Sequence, residues 1–146
     1  MKNTLKISLK ANEKIYVNGA VIRVDRKVSL ELLNDVQFLL EGHVLQPEQA
    51  STPLRQLYFI LQVMLIDPDG AGDAREMFRR SLPLLLATFD DPEILASLKH
   101  VDRLVAEDHV YEALRTIRSL YPLEQRVMAG TEAEQPVARV AAGGTF

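Results

Sequence analysis

The hydrophobic residues of this chain change their spacing near Thr52, and this change constrains the fold more than any other feature. Before it, apolar and polar residues alternate, as in Leu5–Lys10, which is typical of a strand with one buried face. After it, apolar residues recur every three or four positions, as in a helix that buries one stripe. Thr52 followed by Pro53 is also a favoured helix start. The sequence therefore predicts an α+β fold: a small antiparallel β unit in residues 1–50, followed by a bundle of about four α-helices in residues 51–128.

A two-residue turn is the clearest local signal within the β unit. Asn18-Gly19 separates the apolar runs Ile15-Tyr16-Val17 and Ala20-Val21-Ile22. Both turn positions of a tight hairpin need a positive φ, which asparagine and glycine tolerate. The remaining expected strands are Val28–Leu32, Val36–Leu40 and a last short one at His43–Leu45.

Four apolar stripes of helical spacing follow the β unit. Pro83 falls inside the second and should kink or interrupt it, and Asp91-Pro92 marks the start of the third. Asp108 should cap the fourth, which should stop near Pro122 or continue a short way through Val127. Residues 129–146 contain glycine and show no sustained stripe, so we expect a disordered tail.

Composition excludes several classes of protein. The 146 residues include no cysteine, which removes disulfides and thiolate metal sites. No apolar signal core follows Met1-Lys2-Asn3-Thr4, and the longest apolar stretch, Leu57–Ile66, is too short to span a bilayer. We therefore expect a cytoplasmic protein with no membrane partner.

The polar residues do not form a recognisable catalytic or metal-binding pattern. His43, His100 and His109 lack a partner at metal-ligand spacing, and the serines lack a nucleophile-elbow context. Gly70-Ala71-Gly72 is a turn and not a phosphate loop, because no Lys-Ser/Thr follows it. We expect no enzymatic activity, no metal and no cofactor.

Charge is distributed unevenly along the chain. The net charge is −3, but residues 1–28 hold seven basic and two acidic residues, and the remainder holds ten basic and eighteen acidic ones. This asymmetry indicates either a basic contact surface or N-terminal cations that pair with acidic helices. Charge alone does not decide between the two.

The first strand carries a row of polar donors. Thr4, Lys6, Ser8 and Lys10 share one face at intervals of about 7 Å, twice the strand rise, which suits phosphate contacts. Lysines on an edge strand also prevent edge-to-edge aggregation, so the row has a structural interpretation as well.

An ordered set of segments resembles the FlbT family of flagellar regulators. The segments are Leu5–Lys10, Glu13–Val21, Leu45–Ala50, Thr52-Pro53 and Leu57–Phe59, and the resemblance extends to about Val127. It implies a post-transcriptional regulator that associates with the 5′ untranslated region of flagellin mRNA, commonly as a repressor that promotes decay of the message. It also implies a functional link to the small flagellar protein FlaF.

With this resemblance, RNA contact becomes the favoured role of the N-terminal cations. The predicted RNA-binding residues are Lys6, Lys10, Lys2, Lys14, Ser8, Arg23, Arg26 and Lys27. The alternative is a protein-interaction module, in which the striped helices bind flagellin or a FlaF-like partner and any effect on RNA is indirect.

The first 50 residues are also similar to the carbon-storage regulator CsrA, chiefly along Glu13–Val21. That family is a strand-exchanged dimer that binds mRNA leaders, and its first-strand basic residues would correspond to Lys6 and Lys10. Its second RNA-contacting arginine has no counterpart, because Leu45-Gln46-Pro47-Glu48 contains no arginine. The likeness and the small β unit lead to the hypothesis of a homodimer joined through the N-terminal strands.

Overall fold

The predicted α+β order is confirmed by the computed structural model, which describes residues 5–34 and 36–140, with side chains as far as Gly130. Within these residues five strands precede four α-helices. The strands are β1 (Leu5–Leu9), β2 (Lys14–Val17), β3 (Ala20–Arg23), β4 (Val28–Leu32) and β5 (Phe38–Leu40). The helices are α1 (Pro53–Ile66), α2 (Ala71–Thr88), α3 (Pro92–Ala106) and α4 (Val110–Val140).

The strands form two antiparallel sheets that stack as layers. β1 pairs with β4, and the second sheet has the order β3-β2-β5. One face of the three-stranded sheet packs on the two-stranded sheet, where Ile15 and Phe38 meet Ile7 and Leu9. Its other face packs on the helices through residues such as Leu39. The three-stranded sheet is therefore the middle layer, which explains why β2 and β5 are apolar on both faces.

The predicted hairpin turn is confirmed. Asn18 has φ 50° and Gly19 has φ 85°, the left-handed values that a tight two-residue turn requires. A Cβ on Gly19 would lie 2.9 Å from Cγ of Pro68, in the short turn between α1 and α2. Glycine is therefore needed here both for its backbone conformation and for the close approach of that turn.

The predicted cap of α1 is confirmed, and a second group supports it. The Thr52 hydroxyl accepts the N–H of Arg55 at 3.2 Å. Glu124 of α4 then accepts the Thr52 hydroxyl at 2.7 Å and the backbone N–H of Leu54 at 2.8 Å. Glu124 is 0% exposed, so its carboxylate reaches into the interior to complete the first turn of α1.

The cap predicted for α4 is wrong. Asp108 has φ 63° and its carboxylate lies 3.3 Å from the guanidinium of Arg75. The N–H groups of Val110 and Tyr111 donate instead to Oε1 of Gln37, at 2.6 and 3.1 Å. Asp108 is unsuited to the role because a left-handed residue does not have the extended backbone of an N-cap.

The predicted last strand at His43–Leu45 is also absent. Glu41–His43 forms a single 3₁₀ turn. The amide side chain of Gln62, buried on α1, accepts the N–H of Leu45 at 2.6 Å and donates to its carbonyl at 2.8 Å. Because Gln62 satisfies both backbone groups, this segment needs no partner strand.

Pro83 does not interrupt α2, and Pro122 does not end α4. α2 is unbroken at Pro83, which lies on the exposed side while Phe78 and Leu82 are buried against the rest of the core. α4 continues beyond Pro122, where burial of Glu124 at the start of α1 holds the next turn in place. In both cases tertiary contacts outweigh the lost backbone hydrogen bond.

The tail expected to be disordered begins inside α4. The helix extends to Val140 even though Gly130 and Pro136, residues of low helix propensity, lie within it. Residues 141–146 lie outside the described part of the chain.

Replacing Glu124 with alanine should lower the free energy of unfolding by about 2–3 kcal/mol, because the Leu54 N–H loses its acceptor in a buried site. Urea denaturation followed by circular dichroism measures this. The control is Glu76→Ala, since that carboxylate is exposed on α2 and pairs weakly with Arg79. Equal stability of the two variants would contradict the role given to Glu124.

Replacing Gly19 with alanine should lower the free energy of unfolding by about 1–2 kcal/mol, because a left-handed residue gains a Cβ that also meets Pro68. Gly42→Ala is the matched control, since nothing lies within 4 Å of the added atom. Its stability should stay within about 0.5 kcal/mol of the natural chain. A neutral Gly19→Ala variant would show that the turn has another geometry in solution.

Candidate nucleic-acid interface

Two short loops meet at one end of the β unit. Residues 10–13 connect β1 to β2, and residues 24–27 connect β3 to β4. The N–H of Asn12 donates to the carbonyl of Val24 at 2.7 Å, and the N–H of Val24 donates to the carbonyl of Glu13 at 3.2 Å. These bonds fix the two loops side by side.

Five predicted RNA-binding cations lie on or beside these loops, and we call this group the basic end: Lys10, Lys14, Arg23, Arg26 and Lys27. Lys14 and Arg23 are directly opposite each other in the β2–β3 pair. Leu9 and Val28 form the terminal pair of the β1–β4 ladder. Lys10 follows Leu9 and Lys27 precedes Val28, so both lysines lie just beyond this end of the ladder. The fold therefore collects cations that are scattered over eighteen positions of the sequence.

The nearby carboxylates offset this charge only in part. Oε1 of Glu13 accepts the backbone N–H of Lys10 at 2.8 Å, and Oε1 of Glu41 accepts that of Lys14 at 2.8 Å. Arg26 pairs with Asp25 at 3.2 Å, but both side chains are about four-fifths exposed, at 78% and 80%. Such an exposed pair contributes little to stability, so another anion can replace Asp25 beside Arg26 at little cost.

Lys6 and Ser8 lie apart from the basic end, on the outer face of the two-stranded sheet. Lys6 is directly opposite Glu31, and Ser8 is opposite Ser29. Lys6 is about 13 Å along the strand from Lys10, four times the rise per residue. The structure thus places Lys10 among other cations and Lys6 opposite an acidic residue. The alternation along β1 puts both lysines on the same face and therefore does not distinguish them. Lys2 lies outside the described residues.

The aromatic residues of the β unit face inward. Tyr16 is half-buried and packs against the helical core. Phe38 is buried and stacks on Tyr111, with ring centroids 4.5 Å apart. Stacking on unpaired bases would need an accessible ring, so the chemistry of this surface is that of phosphate contacts.

A half-buried polar cluster elsewhere was missed by the sequence reasoning. The Tyr58 hydroxyl donates to the carbonyl of His43 at 2.6 Å and accepts from Nη1 of Arg118 at 3.0 Å. Burial raises the pKa of Tyr58 against the opposing effect of Arg118. Burial, and then the charge of Arg118, lower the pKa of His43. In the sequence Tyr58 is one member of an apolar stripe. No pattern among adjacent residues indicates that its hydroxyl joins His43, which follows β5, to Arg118 of α4.

The rest of the described chain holds little that resembles a reaction site. An open groove of about 340 Å³ lies between α3 and α4, lined by His100, Leu104, Glu112, Arg115, Thr116 and Ser119. No group of three or more His, Asp or Glu side chains within residues 5–34 and 36–130 is arranged to hold a metal ion. The helices in the described residues are too short or too polar to cross a membrane.

Comparison with known proteins identifies one family. The family model described as "Flagellar protein FlbT" matches residues 5–128. A protein of Mesorhizobium japonicum is 74% identical over 132 residues, 90% of each chain, and one of Chelativorans sp. is 64% identical over 144 residues, 98% of this chain and 99% of its own. Both are named "Probable flagellum biosynthesis repressor protein FlbT". No solved structure matches the chain.

The lowered pKa of His43 predicts a pH dependence of stability. The unfolded chain takes up a proton near pH 6.5, whereas the folded chain does so only at lower pH. Stability should therefore fall as the pH decreases through this window, because the unfolded state binds more protons. Nδ1 of His43 is buried without a hydrogen-bond partner in the described residues, which adds to the cost of protonation.

Urea denaturation about one pH unit above and below the ordinary histidine pKa measures this effect. His43→Gln should reduce the difference in unfolding free energy between the two pH values. His100→Gln, at an exposed position, is the matched control for the substitution itself. A His43→Gln variant with the full pH dependence would show that another group titrates in this range.

Proposed function

Because the chain belongs to the FlbT family of flagellar proteins, we propose that it represses flagellum biosynthesis by binding the 5′ untranslated leader of flagellin mRNA. It acts in the cytoplasm, where the leader would otherwise load ribosomes. Repression follows because the bound message is not translated and decays. The family match covers both the β unit and the helices, so the proposal concerns the whole fold.

The basic end is the observation that supports RNA as the partner. Five cations that lie on or beside two hydrogen-bonded loops offer positive charge to a flexible phosphate backbone. The carboxylates of Glu13 and Glu41 accept backbone N–H groups and so help to fix the loops. A phosphate that displaces Asp25 from Arg26 replaces one exposed pair by another, at little net cost.

The distribution of charge favours this end over the rest of the surface. Outside residues 1–28 the chain holds eight more acidic than basic residues. A polyanion is therefore attracted to residues 1–28, which include the basic end, and repelled on average by the rest of the chain. The electrostatic field of this charge distribution orients the approaching RNA even though the net charge of the whole chain is negative.

The proposed binding relies on charge and leader shape because both aromatic rings of the β unit face inward. Binding should therefore weaken steeply with salt, as counterions are released from each contacted phosphate. Discrimination between leaders would come from how a single-stranded loop presents its phosphates, not from stacking.

Replacing both Lys10 and Lys27 with alanine should weaken binding of purified protein to a flagellin leader RNA. The salt dependence should flatten by about 0.7 log units per log unit of salt for each lost phosphate contact. Fluorescence anisotropy with labelled leader at several salt concentrations measures both quantities. Circular dichroism should stay unchanged, because both side chains are exposed.

Two control variants separate the site from general charge effects. Lys99→Ala removes an exposed cation from α3 and should leave the salt slope as it is. Lys6→Ala should have a smaller effect than Lys10→Ala, because Glu31 lies opposite Lys6. If the Lys10/Lys27 variant binds as tightly and with the same slope as the natural chain, the basic end is not the RNA site.

A second candidate function is binding of flagellin or a FlaF-like partner by the helices. It is favoured by α2, where Met77 is 48% exposed and Leu84, two turns later on the same face, is 69% exposed. If the natural chain alone does not retard the leader RNA, and Met77→Glu/Leu84→Glu abolishes repression in cells, this function replaces direct RNA binding.

A further inference from the structure

The strand β3 has the composition of a covered strand, yet the structure leaves it uncovered. Its sequence Ala-Val-Ile-Arg continues the apolar character of β2 and β5. Ile15 and Leu39 in those strands are 1% and 0% exposed, whereas Val21 is 59% and Ile22 is 45% exposed. All four residues of β3 are exposed. Within the described residues nothing covers β3, and exposed apolar residues of this kind mark an interaction site.

Both faces of β3 extend the apolar layers of the middle sheet. Ile22 is directly opposite Ile15, so it lies on the face that packs against the two-stranded sheet. Val21 is directly opposite Tyr16, so it lies on the face that packs against the helices. A covering element must therefore continue the sheet itself, because an element laid on one face would leave the other residue in water.

The free edge of β3 is open to such an extension. Within the described residues β3 is the terminal strand of its sheet and pairs only with β2. It contains no proline or lysine, which commonly protect an edge, and its single charge is Arg23 at its end. Its outward backbone N–H and C=O groups are therefore available to another strand.

We propose that the occupant is a second copy of this chain, with β3 pairing antiparallel to β3 of its partner about a twofold axis. The two middle sheets then form one continuous six-stranded sheet. Antiparallel pairing puts the two copies of Arg23 toward opposite ends of the junction and brings the apolar centres of the strands together. A second copy therefore matches apolar residue to apolar residue and keeps the two guanidinium groups apart, as the self-matching contact of a twofold dimer requires.

Such a dimer would have a defined arrangement of its two basic ends. A twofold axis perpendicular to the sheet makes the strands antiparallel, so the two basic ends point in opposite directions. The axis passes beside one residue of β3, which then faces its own copy. Val21 and Ile22, the central residues of β3, are the candidates.

Sedimentation of the full chain at micromolar concentration tests the dimer. The natural chain should sediment as a dimer and Val21→Lys as a monomer, because a lysine at the exposed edge opposes pairing without disturbing the core. Leu84→Lys, at a strongly exposed apolar position on α2, should remain a dimer. A monomeric natural chain, or a dimer that Leu84→Lys disrupts and Val21→Lys does not, would overturn the proposal.

Cross-linking supplies a second measurement that does not depend on loss of assembly. The chain has no cysteine, so Val21→Cys, Ile22→Cys and Leu84→Cys each carry one thiol. Oxidation with diamide should give a disulfide-linked dimer for the residue beside the axis and none for Leu84→Cys. Failure of both β3 variants to cross-link, or equal cross-linking of Leu84→Cys, would overturn the pairing of β3 with itself.

Discussion

A helix that begins in the interior of a protein leaves N–H groups that must find acceptors, and at the start of α1 the carboxylate of Glu124 supplies one. α1 contacts both α2 and α4 and carries much of the helical core, so its position sets that of its neighbours. Glu124 can be buried because the Thr52 hydroxyl and a backbone N–H both donate to it. The same contact explains why α4 persists through Pro122.

Two further side chains repeat this arrangement and join the β unit to the helices. Gln37 completes the first turn of α4, and Gln62 of α1 holds the backbone of Leu45 in the connecting segment. A β unit of this size would be marginal by itself. The packing of Tyr16 and Leu39 on the helical core adds apolar burial to these polar contacts. The halves that differ in hydrophobic period are thus parts of one packed structure.

The features that the sequence predicted are those decided by adjacent residues. Asn18-Gly19 forms the turn, and Thr52-Pro53 starts α1, because each signal acts over two or three positions. The cap from Gln37 joins residues 73 positions apart, which no local pattern encodes. The sequence pattern predicts Asp108 as the cap of α4, because a short acidic residue before a helix is the usual signal.

The candidate site shows the same division between local and distant causes. The excess of cations in residues 1–28 is visible in the sequence. Which cations lie near one another depends on the hydrogen bonds between two loops and on the β1–β4 pairing, which place Lys10 and Lys27 at the same end of the β unit. Lys6 and Lys10 look equivalent along β1, and only the pairing with β4 separates them by placing Glu31 beside Lys6.

The distance along the chain between α1 and its remote cap has a consequence for biosynthesis. Leu54 and Glu124 are 70 residues apart, so a ribosome adding about 5–20 residues per second needs on the order of ten seconds to supply the cap. Throughout that interval the backbone N–H of Leu54 lacks the acceptor that it has in the folded chain. A nascent polypeptide cut short before Glu124 would never acquire this acceptor, so the first turn of α1 would stay incomplete however long the fragment persisted.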